Sequence, residues 1–120
     1  MSLKETLGTI LNSVEGALSV IIMAYDGIPI DEVSLEQNEI DMQLLSVEYA
    51  TVLKEIKRAV EVIKAGEMEE VTITTAQTCV TIRVINDELF AVLIMKKDGN
   101  LGKGRYMLRL KSFDLAEELS

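Results

Sequence analysis

Residues 16–35, GALSVIIMAYDGIPIDEVSL, constrain the fold of this chain more tightly than any other stretch. Val20, Ile22 and Ala24 point to one face of an extended segment while Ile21 and Met23 point to the other, so both faces are apolar. Such a strand belongs inside a sheet that is covered on both sides. Asp26-Gly27 follows, where a tight hairpin needs positive φ at its central positions, and Asp-Gly meets that need better than almost any other pair. Pro29 has no N–H to give to a ladder, so the returning strand is expected at a sheet edge with that position facing outward.

The flanking segments change period. Leu3, Leu7, Ile10, Leu11 and Val14 lie near helical spacing and predict a short amphipathic helix over residues 2–13, closing at Asn12-Ser13. Gly8 weakens it by roughly 1 kcal/mol against alanine, so it relies on the body of the domain. After the hairpin, Asn38 with Glu39 and Asp41 supplies a helix N-cap and a negatively charged first turn. A long helix is predicted from about Glu39 to Ala65, with Lys64 in its last turn and Gly66 at the C′ position. Its core stripe reads Met42, Leu45, Tyr49, Val52, Leu53, Ile56, Ala59, Val60 and Ile63. A second stripe, Leu44, Glu48, Thr51, Glu55, Arg58 and Val62 with Val47 beside it, runs about a quarter-turn away and has the mixed character of a contact surface.

From Glu67 the period becomes two. Residues 71–75, 78–85 and 88–95 read as three strands of a meander, separated by Ala76-Gln77 and by Asn86-Asp87. The third fills both faces and belongs centrally beside the first strand of the chain. Val71–Thr75 falls at the edge opposite Pro29 and carries no proline, lysine or glycine, the usual devices against edge-to-edge pairing, so it invites a partner strand. Asp98-Gly99-Asn100 then leads into a last helix capped by Asn100, with Leu101, Leu108 and Leu115 in line and Met107 and Leu110 widening the stripe. Gly102 and Gly104 are expected to let its first turn approach the sheet, on the face opposite the long helix.

Two pieces, Ala24-Tyr25-Asp26-Gly27-Ile28-Pro29-Ile30 and Asn100-Leu101-Gly102-Lys103-Gly104-Arg105, stand in order around the long helix and the three strands. Together they resemble the roadblock family, which includes dynein light chains and bacterial MglB-type regulators of Ras-like GTPases. The resemblance spans nearly the whole chain. With the strand assignments it implies an α+β fold of three layers, α/β/α, around a five-stranded antiparallel sheet. The strand order is 2-1-5-4-3 and the topology αββαβββα, roadblock/profilin-like. In function it implies a homodimeric, non-enzymatic regulator or adaptor of a Ras-like small GTPase, activating or recruiting it. The MglB likeness further implies action through the GTPase's own switch residues rather than through an inserted arginine.

Composition narrows the classes. A chain of 120 residues, 48% of them hydrophobic, buries one core, so residues 1–120 are expected to form a single domain. The formal charge of −8 at pH 7 repels phosphate backbones and argues against nucleic acid. From Glu5 to Leu53 there is no lysine or arginine, whereas Lys54, Lys57, Arg58 and Lys64 follow closely; a solvated face with helix-dipole complementarity is the simpler reading. Cys79 is alone and histidine is absent, which fits a reducing cytoplasm and gives a zinc site little to work with. MSLKETLGTI lacks the basic and apolar regions of a signal peptide, and no stretch approaches the ~20 apolar residues of a membrane span, so no membrane insertion is expected.

Catalytic, cofactor and metal residues are not expected. A nucleophile–base pair has no histidine, and Cys79 lies in an alternating strand. Asp31-Glu32 and Glu69-Glu70 are neighbours along strands and point to opposite faces, which reads as surface solvation. The run from Gly99 to Gly104 lacks the GxxxxGK[ST] spacing of a phosphate loop. Met23, Met42, Met68, Met95 and Met107 are scattered. Arg58, Arg83, Arg105 and Arg109 read as helix-end charge, strand surface and helix solvation. A small-ligand sensor of profilin- or PAS-like shape is the alternative function, disfavoured by two Phe, three Tyr and no Trp.

The expected surfaces are therefore for proteins. Val71, Thr72, Ile73, Thr74 and Thr75 form a dimer edge. Leu44, Val47, Glu48, Thr51, Lys54, Glu55, Arg58 and Val62 form a dimer or partner helix face. Two antiparallel copies about a two-fold axis near Leu53 set Leu44 against Val62, Glu48 against Arg58 and Thr51 against Glu55. One GTPase is expected to dock astride that axis.

Overall fold

A strand that is apolar on both faces needs a helical layer on each side, and the chain supplies both. The computed structural model describes residues 2–35 and 41–120. In order these form α1 (Leu3–Ser13), β1 (Ala17–Ala24), β2 (Pro29–Ser34), α2 (Met42–Val62), β3 (Glu70–Thr74), β4 (Thr78–Val84), β5 (Leu89–Lys96) and α3 (Leu101–Glu118). The five strands make one antiparallel sheet of order β2-β1-β5-β4-β3, as expected. β1 and β5 pair from Ala24 opposite Leu89 back to Ala17 opposite Met95, with a register shift between Ala17 and Ser19.

Alternation along these strands divides the interior in two. Val20, Ile22, Ala91, Leu93 and Met95 meet Leu7 and Ile10 of α1 and Leu108 and Leu115 of α3. Ile21, Met23, Val80, Ile82, Phe90, Val92 and Ile94 meet Ala50 and Leu53 of α2. Each large side chain fully buried this way contributes about 1.5–3 kcal/mol. The helices therefore lie on opposite faces, α2 alone on one.

The hairpin after β1 departs from the expected two-residue turn. Gly27 N–H donates to the Ala24 carbonyl at 3.0 Å and Ala24 N–H to Ile28 at 3.2 Å, which leaves a loop of Tyr25, Asp26 and Gly27. Gly27 is at φ +86° while Asp26 is not in the positive region; its carboxylate accepts from Ile28 N–H at 3.0 Å instead. One left-handed residue after a type I turn closes a three-residue loop, so Gly27 carries the demand alone. Pro29 is exposed on the edge strand, and the β1–β2 register shifts between Ile22 and Met23, beside it.

The expected cap at Asn38 and Glu39 lies outside the described residues; Asp41 caps α2, accepting from Leu44 N–H at 3.0 Å. The helix stops earlier than its sequence implies. Lys64 N–H reaches the Glu61 carbonyl at 3.2 Å and Ala65 N–H the Val60 carbonyl at 3.3 Å. These crossed bonds close the last turn on Lys64 at C′, at φ +55°, and Gly66 at φ +97° falls beyond it. α2 is also rolled by roughly a sixth of a turn from its expected stripe. Ser46, Ala50 and Leu53 are its buried residues, while Val52, Ala59 and Ile63 are exposed. Two small side chains let the helix settle on that line.

On the other face, Asn100 caps α3 as expected, accepting from Lys103 N–H at 3.0 Å. Gly104 makes the close approach, since a Cβ there would lie 2.8 Å from Leu93 Cδ2; Gly102 does not, being exposed with only Asn100 within 4 Å. Leu110 is exposed rather than part of the core stripe. α1 is tied to β2 by Lys4 Nζ, 2.7 Å from Asp31 Oδ1, so Asp31 is paired and not merely solvated. The loop before β1 crosses the turn after β5 so closely that a Cβ on Gly16, itself at φ +86°, would stand 2.5 Å from Gly99 Cα.

Three outcomes follow from this geometry. Lys64→Gly removes a left-handed strain of about 1–2 kcal/mol and adds unfolded-state freedom, for a net gain of about 0.5–1 kcal/mol in urea unfolding. Gly16→Ala loses about 2–4 kcal/mol in the same measurement, because φ and the Gly99 backbone both oppose it. The Lys4 hydrogen bond, helped by Glu32 N–H and opposed by burial, holds the Asp31 carboxyl below its ordinary range. Its contribution is present above the unfolded pKa of about 3.9 and lost as pH falls through the lower folded value. Lys4→Ala therefore moves the Asp31 titration upward in carbon-detected NMR.

Candidate interaction surfaces

The free edge of β3 presents a defined set of backbone groups. Val84 N–H donates to the Glu69 carbonyl at 3.0 Å and Thr75 N–H to the Thr78 carbonyl at 2.9 Å, so residues 69, 71, 73 and 75 turn their polar groups toward β4. Strand alternation then leaves those of Glu70, Thr72 and Thr74 pointing outward. Val71 and Ile73 are half-buried on the sheet face that carries α2, and Thr72 and Thr74 lie exposed on the other face. β3 ends at Thr74; Thr75 belongs to the turn and is committed to Thr78.

α2 exposes apolar surface that the sheet does not use. Among the described residues, Leu44, Val47, Val52, Val62 and Ile63 are five of the eleven large hydrophobics that stay exposed, and such clustering on one helix marks a contact surface. Leu44, Glu48, Thr51, Glu55, Arg58 and Val62 are exposed and, by the helical repeat, lie opposite the buried line through Leu53, whereas Val47, also exposed, sits toward the hairpin. Arg58 Nε stands 3.3 Å from Glu55 on its own helix, and Lys54 is exposed to one side. One flank of α2 faces the β1–β2 hairpin, where Met42, Ser46 and Val47 meet residues 26–29 across a groove. The opposite flank carries Val52 and Ile63, 43% and 70% exposed. Sequence reasoning placed these two in the core, since an apolar residue at helical spacing reads alike in core and interface.

Two charged clefts went unread. Tyr25, Lys57, Glu61, Met68 and Asp87 line one of about 350 Å³. Lys57 Nζ sits 4.6 Å over the Tyr25 ring and donates to the Asp87 carbonyl at 3.3 Å. Burial first, then the Asp87 charge, pushes the Tyr25 hydroxyl's pKa up, and that hydroxyl oxygen is buried with no partner among the described residues. The other cleft, about 250 Å³, brings Arg83, Arg105 and Arg109 together beside Glu70, Gly102 and Tyr106. Arg105 Nη2 lies 2.7 Å from Glu70 Oε2, so neither residue is mere solvation. Cys79 is buried within hydrogen-bond distance of Thr74 Oγ1 at 3.5 Å. Among the described residues no group of three or more His, Cys, Asp or Glu is placed to hold a metal ion, and no helix is long and apolar enough to cross a membrane.

A five-stranded antiparallel sheet of this order, with one long helix alone on one face, is the roadblock architecture, and the chain belongs to the roadblock family. Within it the chain is similar to MglC of Myxococcus xanthus, at 35% identity over 98% of this chain and 99% of that one, with a TM-score of 0.72. In fold it is also similar to a roadblock/LC7 domain of Streptomyces avermitilis, at 10% identity over 99% and 98% of the two chains and a TM-score of 0.84. A structure of MglB in a tetrameric arrangement matches at 14% identity over 96% of this chain and 85% of that one, with a TM-score of 0.85. No protein-family model and no curated protein matches the chain.

Asp87→Asn lowers the Tyr25 pKa yet leaves it raised above a tyrosine's ordinary value, because burial is the larger cause. An ultraviolet titration of tyrosinate, with Tyr25→Phe to assign the phase, checks this; a Tyr25 pKa that does not move would remove Asp87 as a contributor.

Proposed function

We propose that the chain is a homodimeric, non-enzymatic regulator or adaptor of a Ras-like small GTPase in the cytoplasm. The observation that carries this reading is the open β3 edge, whose Glu70, Thr72 and Thr74 backbone groups point outward while Val71 and Ile73 are half-buried on the sheet face that α2 covers. Antiparallel pairing of β3 with its copy about Thr72 makes about six main-chain hydrogen bonds and sets Val71 against Ile73 of the partner subunit. The same two-fold puts both α2 helices on one face of the ten-stranded sheet, where the exposed Val52 and Ile63 are available for helix contacts. A strand pair with such helix contacts reaches the roughly 1,600 Å² of a standard interface. The tetrameric MglB structure supports assembly as a property of this fold.

In such a dimer the outward stripe from Leu44 to Val62 becomes part of one continuous platform, with Glu48 and Glu55 beside Lys54 and Arg58. It offers both signs of charge to a client bound astride the axis, one per dimer. A small-ligand sensor would use the Tyr25 cleft, but Lys57, Glu61, Glu67 and Asp87 there disfavour an apolar ligand.

Light scattering at micromolar concentration is expected to give a dimer, and Thr74→Pro, which removes an outward N–H without touching the β4 ladder, a monomer. A monomeric parent ends the reading. Reversing Glu48 and Arg58 together is expected to restore dimer stability lost in either single reversal; the cycle asks whether the helices also touch along the outward stripe. Pull-down against small GTPases with GDP, GTP and a transition-state mimic identifies the client. Lys54→Glu with Arg58→Glu, in a protein still dimeric, weakens that complex about tenfold or more; unchanged affinity or a two-to-two complex removes the platform.

A further inference from the structure

On the sheet face away from α2, α3 lies over β4 and β5, and Thr72 and Thr74 of β3 stay exposed. Its side toward β3 carries Arg105, Tyr106 and Arg109, and Arg83 rises from the strand beside them. Phe113, 81% exposed, continues that side one turn further on. Arg105 is answered by Glu70, but among the described residues Arg83 and Arg109 make no ion pair. Three guanidinium groups thus face one carboxylate in a chain whose net charge is −8.

Pairing β3 with its copy doubles this shoulder into a groove. Thr72 and Thr74 of both protomers make its floor, and the two α3 helices make its walls. Four strand spacings of about 4.8 Å separate the walls by about 19 Å. Two helix-packing distances of about 8–10 Å fill that width, so one further helix fits between them. We propose that this groove docks a single acidic amphipathic helix of a partner protein, its carboxylates on the arginines and its apolar side on Tyr106 and Phe113. The proposal rests on the β3 dimer. A second copy is a poorer occupant: α1 carries Lys4 with Glu5, and α2 alternates Glu48 and Glu55 with Lys54 and Arg58, so neither offers a purely acidic flank. Anionic membrane is opposed by the net charge of the whole molecule.

The test uses a synthetic helix of 18 residues, the length of α3, with a leucine stripe and glutamate flanks, and a second peptide with lysine flanks. The full chain is titrated with each in calorimetry, with light scattering on the same samples. The acidic peptide is expected to bind one per dimer, more weakly as salt rises, and the basic one not at all. Arg83→Glu with Arg109→Glu, or Phe113→Ala alone, is expected to weaken binding at least tenfold, and Lys4→Ala, which removes a cation at the β2 edge of the sheet, to leave it unchanged. A monomeric parent removes the dimer and the groove with it. A dimer that binds no acidic peptide, binds two, or binds equally after the arginine reversals overturns the groove while the dimer stands. Phe113-dependent tetramers, or Phe113-dependent sedimentation with phosphatidylserine vesicles, would give the surface to another copy or to a membrane and overturn the proposal as well.

Discussion

The pairing of β1 with β5 is the constraint on which the other elements depend. Both strands are buried on both faces, and each alternate residue commits to one of two cores, so a one-residue slip would exchange every side chain between them. The register from Ala24 opposite Leu89 to Ser19 opposite Ile94 therefore fixes where α1 and α3 sit relative to α2. The Gly16–Gly99 crossing anchors one end of this ladder: Lys96 N–H donates to the Gly16 carbonyl and Asn100 N–H to the Glu15 carbonyl, both at 2.9 Å. The loop before β1 and the turn before α3 are joined there as one piece.

Much of this was legible because strands buried on both faces leave an unambiguous pattern. Val20 through Met23, the run from Phe90 to Met95 and the edge position of Pro29 each follow from one physical requirement. The roll of α2 was not legible. Leu45, Val52, Ile56 and Ile63 have the apolarity of core residues, while Ser46 and Ala50 have none of it, yet the small pair is buried. Closeness of approach decided the line, and side-chain size enters it with the opposite sign from hydrophobicity. Lys64 escaped for a related reason, since a left-handed residue other than glycine is imposed by the hydrogen bonds around it.

The candidate surfaces divide along the same line. β3 could be found from what it lacks, because an edge without proline, lysine or glycine is a property of sequence. The arginine cleft could not, because Arg105 and Glu70 stand 35 residues apart and meet only when α3 folds back over the sheet. A list of basic residues carries no hint of which are answered and which stand open. The Tyr25 cleft is the same case, assembled from the hairpin loop, the end of α2 and the β4–β5 turn.

The two faces of the sheet are not equally held. α1 and α3 brace one another and share many fully buried side chains, whereas α2 buries only Ser46, Ala50 and Leu53 fully along 21 residues, with Met42, Leu45 and Tyr49 half-buried beside them. A layer fastened so lightly opens locally at a free energy well below that of global unfolding. Amide protons of α2 are then expected to exchange with solvent sooner than those of β1 and β5, and any molecule that covers the helix slows them in proportion to its occupancy. The long helix is in this sense a concentration gauge, its own persistence set by how often something else lies against it.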